Sequence, residues 1–344
     1  MIKVTFHFSL GLVAIIFLLV ASPSKAATLY FGPESGEYGY GDTFGVDVKI
    51  DLDSGEECIN TVQAVIDFDK NYLDVVDFST GDSILSLWLL QPKTEDMTEI
   101  NHTKRLSFTG GIPGGYCGKI PGDPGESNIL GKIIFKVNNY NNLVAPAPVA
   151  KALFLASETK VLLNDGVGSE ANLSLKEGKF TIAAAKTEPK KEWEQLRAED
   201  NVTPEPFVIE IQQNAEIYGG KNYLLFTTTD KQTGIDHYEI LESAPVADTS
   251  GLPGWLEGVV GFFKQQPVRT DWVRANSPYI LHDQNLHSDI KVKAVDKAGN
   301  ERIAEYLTKE KAASNNSLIK VVVFVVLLLI IVGLVGYLRF RRRR

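Results

Sequence analysis

The chain has 344 residues, 35 Lys and Arg against 43 Asp and Glu, and a net charge of -8. That acidic balance, kept although the last residues are almost all arginine, argues against a nucleic-acid binder. Two cysteines and five histidines, none in CxxC, HxxxH or triad spacing, point to no catalytic constellation, no cofactor and no metal site.

In chain order, Lys3, an apolar stretch at residues 11–20 and the small residues flanking Lys25 read as a signal peptide, 1–26, cleaved after Ala26. An uncleaved anchor is the alternative. Residues 28–184 then run in short alternating segments bounded by Gly, Asp, Asn and Pro, the pattern of an all-β sandwich. Phe44, Val46, Val48 and Ile50 share one side of a predicted strand. Val62, Ala64, Ile66 and Phe68 point one way from the next strand, and Thr61, Gln63, Val65 and Asp67 the other. Further strands are expected at 72–76, 106–108, 131–137 and 179–182, while 83–90 reads as a short helix or a strand. Residues 110–125 hold seven glycines and three prolines and read as a long loop. Asp51, Asp53, Glu56 and Glu57 make an acidic cluster that could hold Ca²⁺, but they match no EF-hand spacing and read as a solvated acidic loop. Cys58 and Cys117 lie in one domain and are expected to form a disulfide if the domain is extracellular; two free thiols are the alternative.

Four pieces of this domain occur in a particular order. Gly41-Asp42-Thr43 opens a strand, VQAVIDFDKNYLDVV follows at 62–76, then Gly81-Asp82-Ser83-Ile84-Leu85, then LGKIIFKV at 130–137. This ordered set resembles the cohesin domain, the family that receives dockerin modules in cellulosome-type assemblies. The resemblance implies a nine-stranded jelly-roll sandwich. It also implies a dockerin-binding face that includes Thr61, Gln63, Val65 and Asp67. Type I members tend to carry Asn and Asp at the first two of these positions and a proline in the following turn; Thr61, Gln63 and Lys70 depart from that. A sheet face could instead hold sugar, with Trp88, Tyr116 and Tyr140 as the stacking candidates, and a passive spacer is a third reading.

Residues 185–206 are charged, with prolines at either end, and read as a semi-rigid linker. A short helix is expected at 190–200, with Lys190 and Glu194 paired at i,i+4. From 207 to 307 alternation returns, with strands expected at 207–211, 223–229, 237–241, 279–281 and 289–296. The runs at 228–240 and 290–300, the second ending VDKAGN, resemble bacterial Ig-like or fibronectin-III-like modules, which implies a spacer or adhesive unit. Residues 296–300 read as a turn in which Gly299 and Asn300 tolerate positive φ. Within this module Trp255, Leu256, Val259, Val260 and Phe263 fall on one helical face. They suit a membrane surface, a partner, or folding back onto the module itself.

A stalk at 308–317 leads to residues 318–338, whose apolar run from 321 is long enough to span a bilayer as a helix. The arginines at 339–344 hold the C-terminus in the cytoplasm. The expected fold class is all-β: a jelly-roll cohesin-like sandwich plus an Ig-like sandwich, with one C-terminal transmembrane helix. The expected function is a single-pass cell-membrane protein, ectodomain outside, that docks an extracellular protein such as a dockerin-like module. A polysaccharide-binding surface protein is the alternative.

Overall fold

Residues 43–50 and 62–68 alternate with period two, and both form strands whose apolar members turn inward. A computed structural model describes residues 26–52, 58–118, 127–138, 147–184, 188–243, 271–286 and 288–307, with Arg339 and Arg341. The chain divides into two compact units. The first comprises residues 1–206 with 227–236 and 294–302.

The sandwich of the first unit is built from β1 (Ala26–Gly32), β2 (Ser35–Gly39), β3 (Thr43–Leu52), β4 (Ile59–Phe68), β5 (Leu73–Ser79), β6 (Leu87–Leu90), β7 (Arg105–Tyr116), β8 (Ile129–Val137), β9 (Val149–Phe154), β10 (Lys160–Leu163), β11 (Asn172–Leu175) and β12 (Gly178–Ala183). One sheet has five strands in the order β11-β1-β3-β8-β5. The other has seven, in the order β2-β12-β9-β4-β7-β6, with β10 also paired to β4. The two sheets therefore hold more strands than the nine the resemblance implies. Two of the pairings are parallel, β1 with β11 and β2 with β12, and the rest are antiparallel.

Aromatic pairs join the two sheets across the core. Phe31 stacks on Phe154 at 4.6 Å, Phe44 meets Phe180 at 5.4 Å, Phe135 meets Phe68 at 5.7 Å and Phe78 meets Phe108 at 5.3 Å. In each pair one ring comes from the five-stranded sheet and the other from the seven-stranded sheet. Buried pairs of this geometry contribute about 0.5–1.5 kcal/mol each beyond the area they bury.

Three segments of the sandwich overturn or narrow the sequence expectation. The loop expected at 110–125 is strand as far as Tyr116, because β7 runs on beside β4, with Thr61 opposite Gly111 and Ile59 opposite Tyr116. Gly110 serves close approach there: a Cβ on it would lie 2.8 Å from Leu85 Cδ1. Residues 83–90 resolve into a turn followed by β6. A helix, α1 (Met97–Thr103), appears where none was expected. It buries Met97 and Ile100, and Asn101 bonds both the N–H and the C=O of Val75 at 2.7 Å, beside the irregularity in the β5–β8 register.

The expected linker packs against the sandwich over 189–200. Helix α2 (Glu192–Glu199) buries Trp193. Lys190 N–H donates to Asp42 Oδ1 at 2.7 Å, and Thr43 N–H donates to the Lys190 carbonyl at 2.8 Å. Glu194, expected to pair with Lys190, accepts the Thr43 hydroxyl at 3.0 Å. Cys58 and Cys117 form a disulfide.

The second unit contains a sheet of β13 (Glu210–Gln213), β14 (Asn222–Leu225) and β17 (Tyr279–Ile280). A four-stranded sheet runs in the order β16 (Val273–Ala275), β15 (Ile235–Ser243), β18 (Asp289–Asp296) and β19 (Glu301–Tyr306). Its small core gathers Leu224, Phe226, Ile240, Leu281, Ile290 and Val292. Among the described residues no helix is long and apolar enough to cross a membrane. The signal segment up to residue 25, the acidic residues Asp53, Glu56 and Glu57, Tyr140, the Trp255 to Phe263 patch, the stalk and the apolar run 318–338 lie outside them.

Candidate binding face

Alternation along β4 sends Val62, Ala64, Ile66 and Phe68 into the core and leaves Thr61, Gln63, Val65 and Asp67 on the opposite face of the seven-stranded sheet. The antiparallel register with β7 sets Gly111 opposite Thr61, Thr109 opposite Gln63, Ser107 opposite Val65 and Arg105 opposite Asp67. The centre of this face is largely polar.

Its charges are organised around Arg105. The guanidinium Nε donates to Asp67 Oδ1 at 2.8 Å and Nη2 to Asp67 Oδ2 at 3.3 Å, while Nη1 reaches Glu158 Oε1 at 3.3 Å. The Asp67 hydrogen bond raises the already high pKa of the guanidinium. Gln63 Nε2 donates to the Glu158 carbonyl at 2.9 Å. The Gln63 amide and the Asp67 carboxylate are therefore already engaged with the chain itself.

Val65 does not offer a side chain to a partner. It is 5% exposed although it belongs to the outward set. Its backbone is occupied as well. The Val65 N–H donates to Thr159 Oγ1 at 3.1 Å, the hydroxyl returns a bond to the Val65 carbonyl at 3.2 Å, and Leu155 N–H donates to that carbonyl at 2.8 Å. Segment 155–159 fills the gap along β4 between its pairings with β9 and β10.

The sequence reading missed the apolar part of the surface. Strand β6 lies at the edge of this sheet beside β7, and it exposes Leu87, Leu89 and Leu90, with Leu89 at 68%. An edge strand with exposed leucines is a surface that natural proteins ordinarily blunt. The signal was present in the sequence as LWLL, but an apolar run of four reads as core unless its edge position is known.

The proposed sugar-stacking set does not assemble. Tyr116 is buried at 2% exposure, with its hydroxyl donating to the Ser127 carbonyl at 2.9 Å, because the strand that carries it continues beside β4. Trp88 turns inward and meets Phe78 edge-on at 5.9 Å. Tyr140 lies outside the described residues. Among the described residues of the sandwich, the exposed large apolar side chains are aliphatic: Leu87, Leu89, Leu90, Val149, Leu153 and Val167.

One group of side chains, away from any sequence motif for metals, could hold an ion. Asp200, Asp230 and Asp296 are all buried and offer carboxylate oxygens within 4.8 Å of one another. Sequence reasoning had placed Asp200 in a linker and Asp296 in a turn, and had given Asp230 no role.

No protein-family model matches the chain, and no curated protein matches it. Among solved structures, a type I cohesin–dockerin complex from Clostridium thermocellum is similar at 14% identity over 47% of this chain and 94% of that one, with a TM-score of 0.34. The solution structure of the cohesin CaCohA2 from Clostridium acetobutylicum is similar at 16% identity over 47% of this chain and 94% of its own, with a TM-score of 0.33. A cohesin module from a Clostridium perfringens family 33 glycoside hydrolase gives 11%, 47%, 98% and 0.32 for the same quantities. These neighbours are cohesin modules, matched over about half of this chain at low identity and low TM-score.

Proposed function

We propose that this chain is a membrane-anchored surface protein that binds an extracellular protein, a dockerin-like module, and catalyses no reaction. The observation that carries the reading is the make-up of the outward face of β4, β7 and β6. A polar centre of Thr61, Gln63, Ser107, Thr109 and Arg105 borders an edge strand with three exposed leucines. Exposed apolar side chains gathered on one strand beside polar groups suit a protein-binding surface. The ordered cohesin-like motifs at 41–43, 62–76, 81–85 and 130–137 support the same partner class. Sugar binding is the weaker reading, since rings stack on aromatic faces and the exposed apolar side chains here are aliphatic.

The cellular placement rests on the sequence: an apolar run long enough to span and a terminal arginine cluster that stays inside. The disulfide suits an oxidising compartment. In this reading the second unit acts as an Ig-like spacer between the sandwich and the membrane.

The test is calorimetric titration of the chain against a panel of dockerin modules, with a glycan array alongside. Leu89→Arg and Gln63→Arg are expected to weaken capture at least tenfold while leaving thermal unfolding in place. Glycan binding with no dockerin bound would transfer the assignment to sugar. Dockerin binding indifferent to both substitutions would move the site off this face.

A further inference from the structure

The first unit contains three aspartates whose burial no cation explains. Asp200, Asp230 and Asp296 are 6%, 1% and 2% exposed. Each closes a turn with one oxygen. Asp200 Oδ1 accepts Val202 N–H at 3.0 Å; Asp230 Oδ2 accepts Gln232 and Gly234 N–H at 3.1 and 2.8 Å; Asp296 Oδ1 accepts Ala298 and Asn300 N–H at 2.9 and 2.8 Å. The second oxygens differ. Asp200 Oδ2 accepts the Thr233 hydroxyl at 2.6 Å and its N–H at 3.2 Å, and Asp296 Oδ2 accepts Asn300 Nδ2 at 2.8 Å. Asp230 Oδ1 is buried and has no hydrogen-bond partner among the described residues.

Charge makes the case sharper. Among the described residues, no Lys, Arg or His forms an ion pair with any of the three. Lys297, next in sequence to Asp296, turns to Asp77 at 2.6 Å. A buried carboxylate with a free oxygen is expensive unless a cation or a donor meets it, and like charges beside it add to the penalty.

We propose that Asp200, Asp230 and Asp296 bind one hard divalent cation, Ca²⁺, with Asp230 Oδ1 as a direct ligand. The donor set is all oxygen, which selects Ca²⁺ or Mg²⁺ over zinc-type metals. Ca²⁺ takes oxygens at about 2.3–2.6 Å, so two ligands on opposite sides of one ion stand about 4.8 Å apart. The three carboxylates offer oxygens within 4.8 Å of one another. Ca²⁺ also tolerates the irregular geometry that three separate turns impose, where Mg²⁺ demands a near-ideal octahedron. The ion would tie the segments around residues 200, 230 and 296 together, and it is independent of which partner the sheet face binds.

The test uses the full chain stripped with EDTA and dialysed, titrated with CaCl₂ by calorimetry. One Ca²⁺ per chain is expected, with a rise of several degrees in Tm at saturation and Mg²⁺ competing weakly. Asp230→Asn should lower Ca²⁺ affinity at least tenfold. In EDTA the same variant should melt above the unsubstituted chain, because it removes one of three crowded charges. Asp200→Asn reads the same site should Asp230→Asn fail to fold. Asp51→Asn, near the end of β3, should bind Ca²⁺ as before. Absence of stoichiometric Ca²⁺ binding overturns the proposal, as does unchanged affinity in both site variants or a loss that follows Asp51.

Discussion

Two groups of buried acids in the first unit solve the same problem differently. Asp77 is 8% exposed, and all of its needs are met: Oδ1 takes Lys297 Nζ at 2.6 Å and Phe78 N–H at 2.8 Å, and Oδ2 takes Trp193 Nε1 at 3.1 Å. The Asp200, Asp230 and Asp296 group is well supplied with N–H and O–H donors, yet no positive side chain among the described residues pairs with it. Satisfying lone pairs and cancelling charge are separate requirements for a buried carboxylate. Asp77 meets both from within the chain, whereas the triad leaves Asp230 Oδ1 unpaired and leaves its charge to an ion.

The largest effect is expected where the internal solution is broken. Lys297→Met removes the ammonium, itself only 4% exposed, and leaves Asp77 charged and buried. Breaking a buried pair from one side destabilises by about 3–5 kcal/mol. Urea unfolding of the variant should show a loss of that order, insensitive to Ca²⁺. A loss below about 1 kcal/mol would mean that Trp193 and the Phe78 N–H hold Asp77 without help, and the contrast between the two groups would collapse.

Asp230 is the member of the triad expected to respond to pH. Burial, aided by the charges of Asp200 and Asp296, pushes the Asp230 carboxyl above its ordinary value. A raised carboxyl binds its proton more tightly in the folded chain, so its stabilising contribution is full below the unfolded value and is lost as pH rises through the folded one. In EDTA, the stability difference between Asp230→Asn and the unsubstituted chain should therefore grow in favour of the variant as pH climbs from the acid range to neutral. Saturating Ca²⁺ should reverse its sign. A difference flat with pH would show that the Asp230 carboxyl is not strained by its surroundings.

How much of this was legible beforehand depends on the range of the interaction. The inward set of β4 follows from period two alone, so Val62, Ala64, Ile66 and Phe68 were readable as core. The outward set was readable as a set, but the burial of Val65 was not, because segment 155–159 that closes over that part of β4 is far along the chain. Tyr116 sits in a glycine-rich stretch that has every local mark of a loop, and only its pairing with β4 makes it strand. The exposure of Leu89 depends on β6 being an edge, which is a property of the sheet and not of the segment. The Asp triad is the extreme case: Asp296 was readable as a turn residue, Asp200 as the end of a linker helix and Asp230 as neither, and nothing local says that the three segments meet.

A third aspartate separates the effect of the turn from the effect of burial. Asp165 closes a loop by the same device as Asp230, its Oδ1 accepting Val167 N–H at 3.0 Å, Gly168 N–H at 2.8 Å and Ser169 N–H at 3.4 Å, but it does so in solvent. With the Ser169 side chain adding the largest share, these donors pull its carboxyl from 3.8 down to about 2. A depressed carboxyl contributes above its unfolded value and loses that contribution as pH falls through the folded one, so the loop should loosen between about pH 4 and pH 2. Carboxyl-carbon NMR of Asp165 should titrate near 2, and Ser169→Ala should move it back toward the ordinary range. Placed beside a raised Asp230, that result would isolate desolvation and neighbouring charge as what reverses the sign, since the turn donors alone favour the charged form in both places. An Asp165 that titrates in the ordinary range would mean that N–H donors in such turns do little for a carboxylate, and the burden on a bound cation at Asp230 would be larger still.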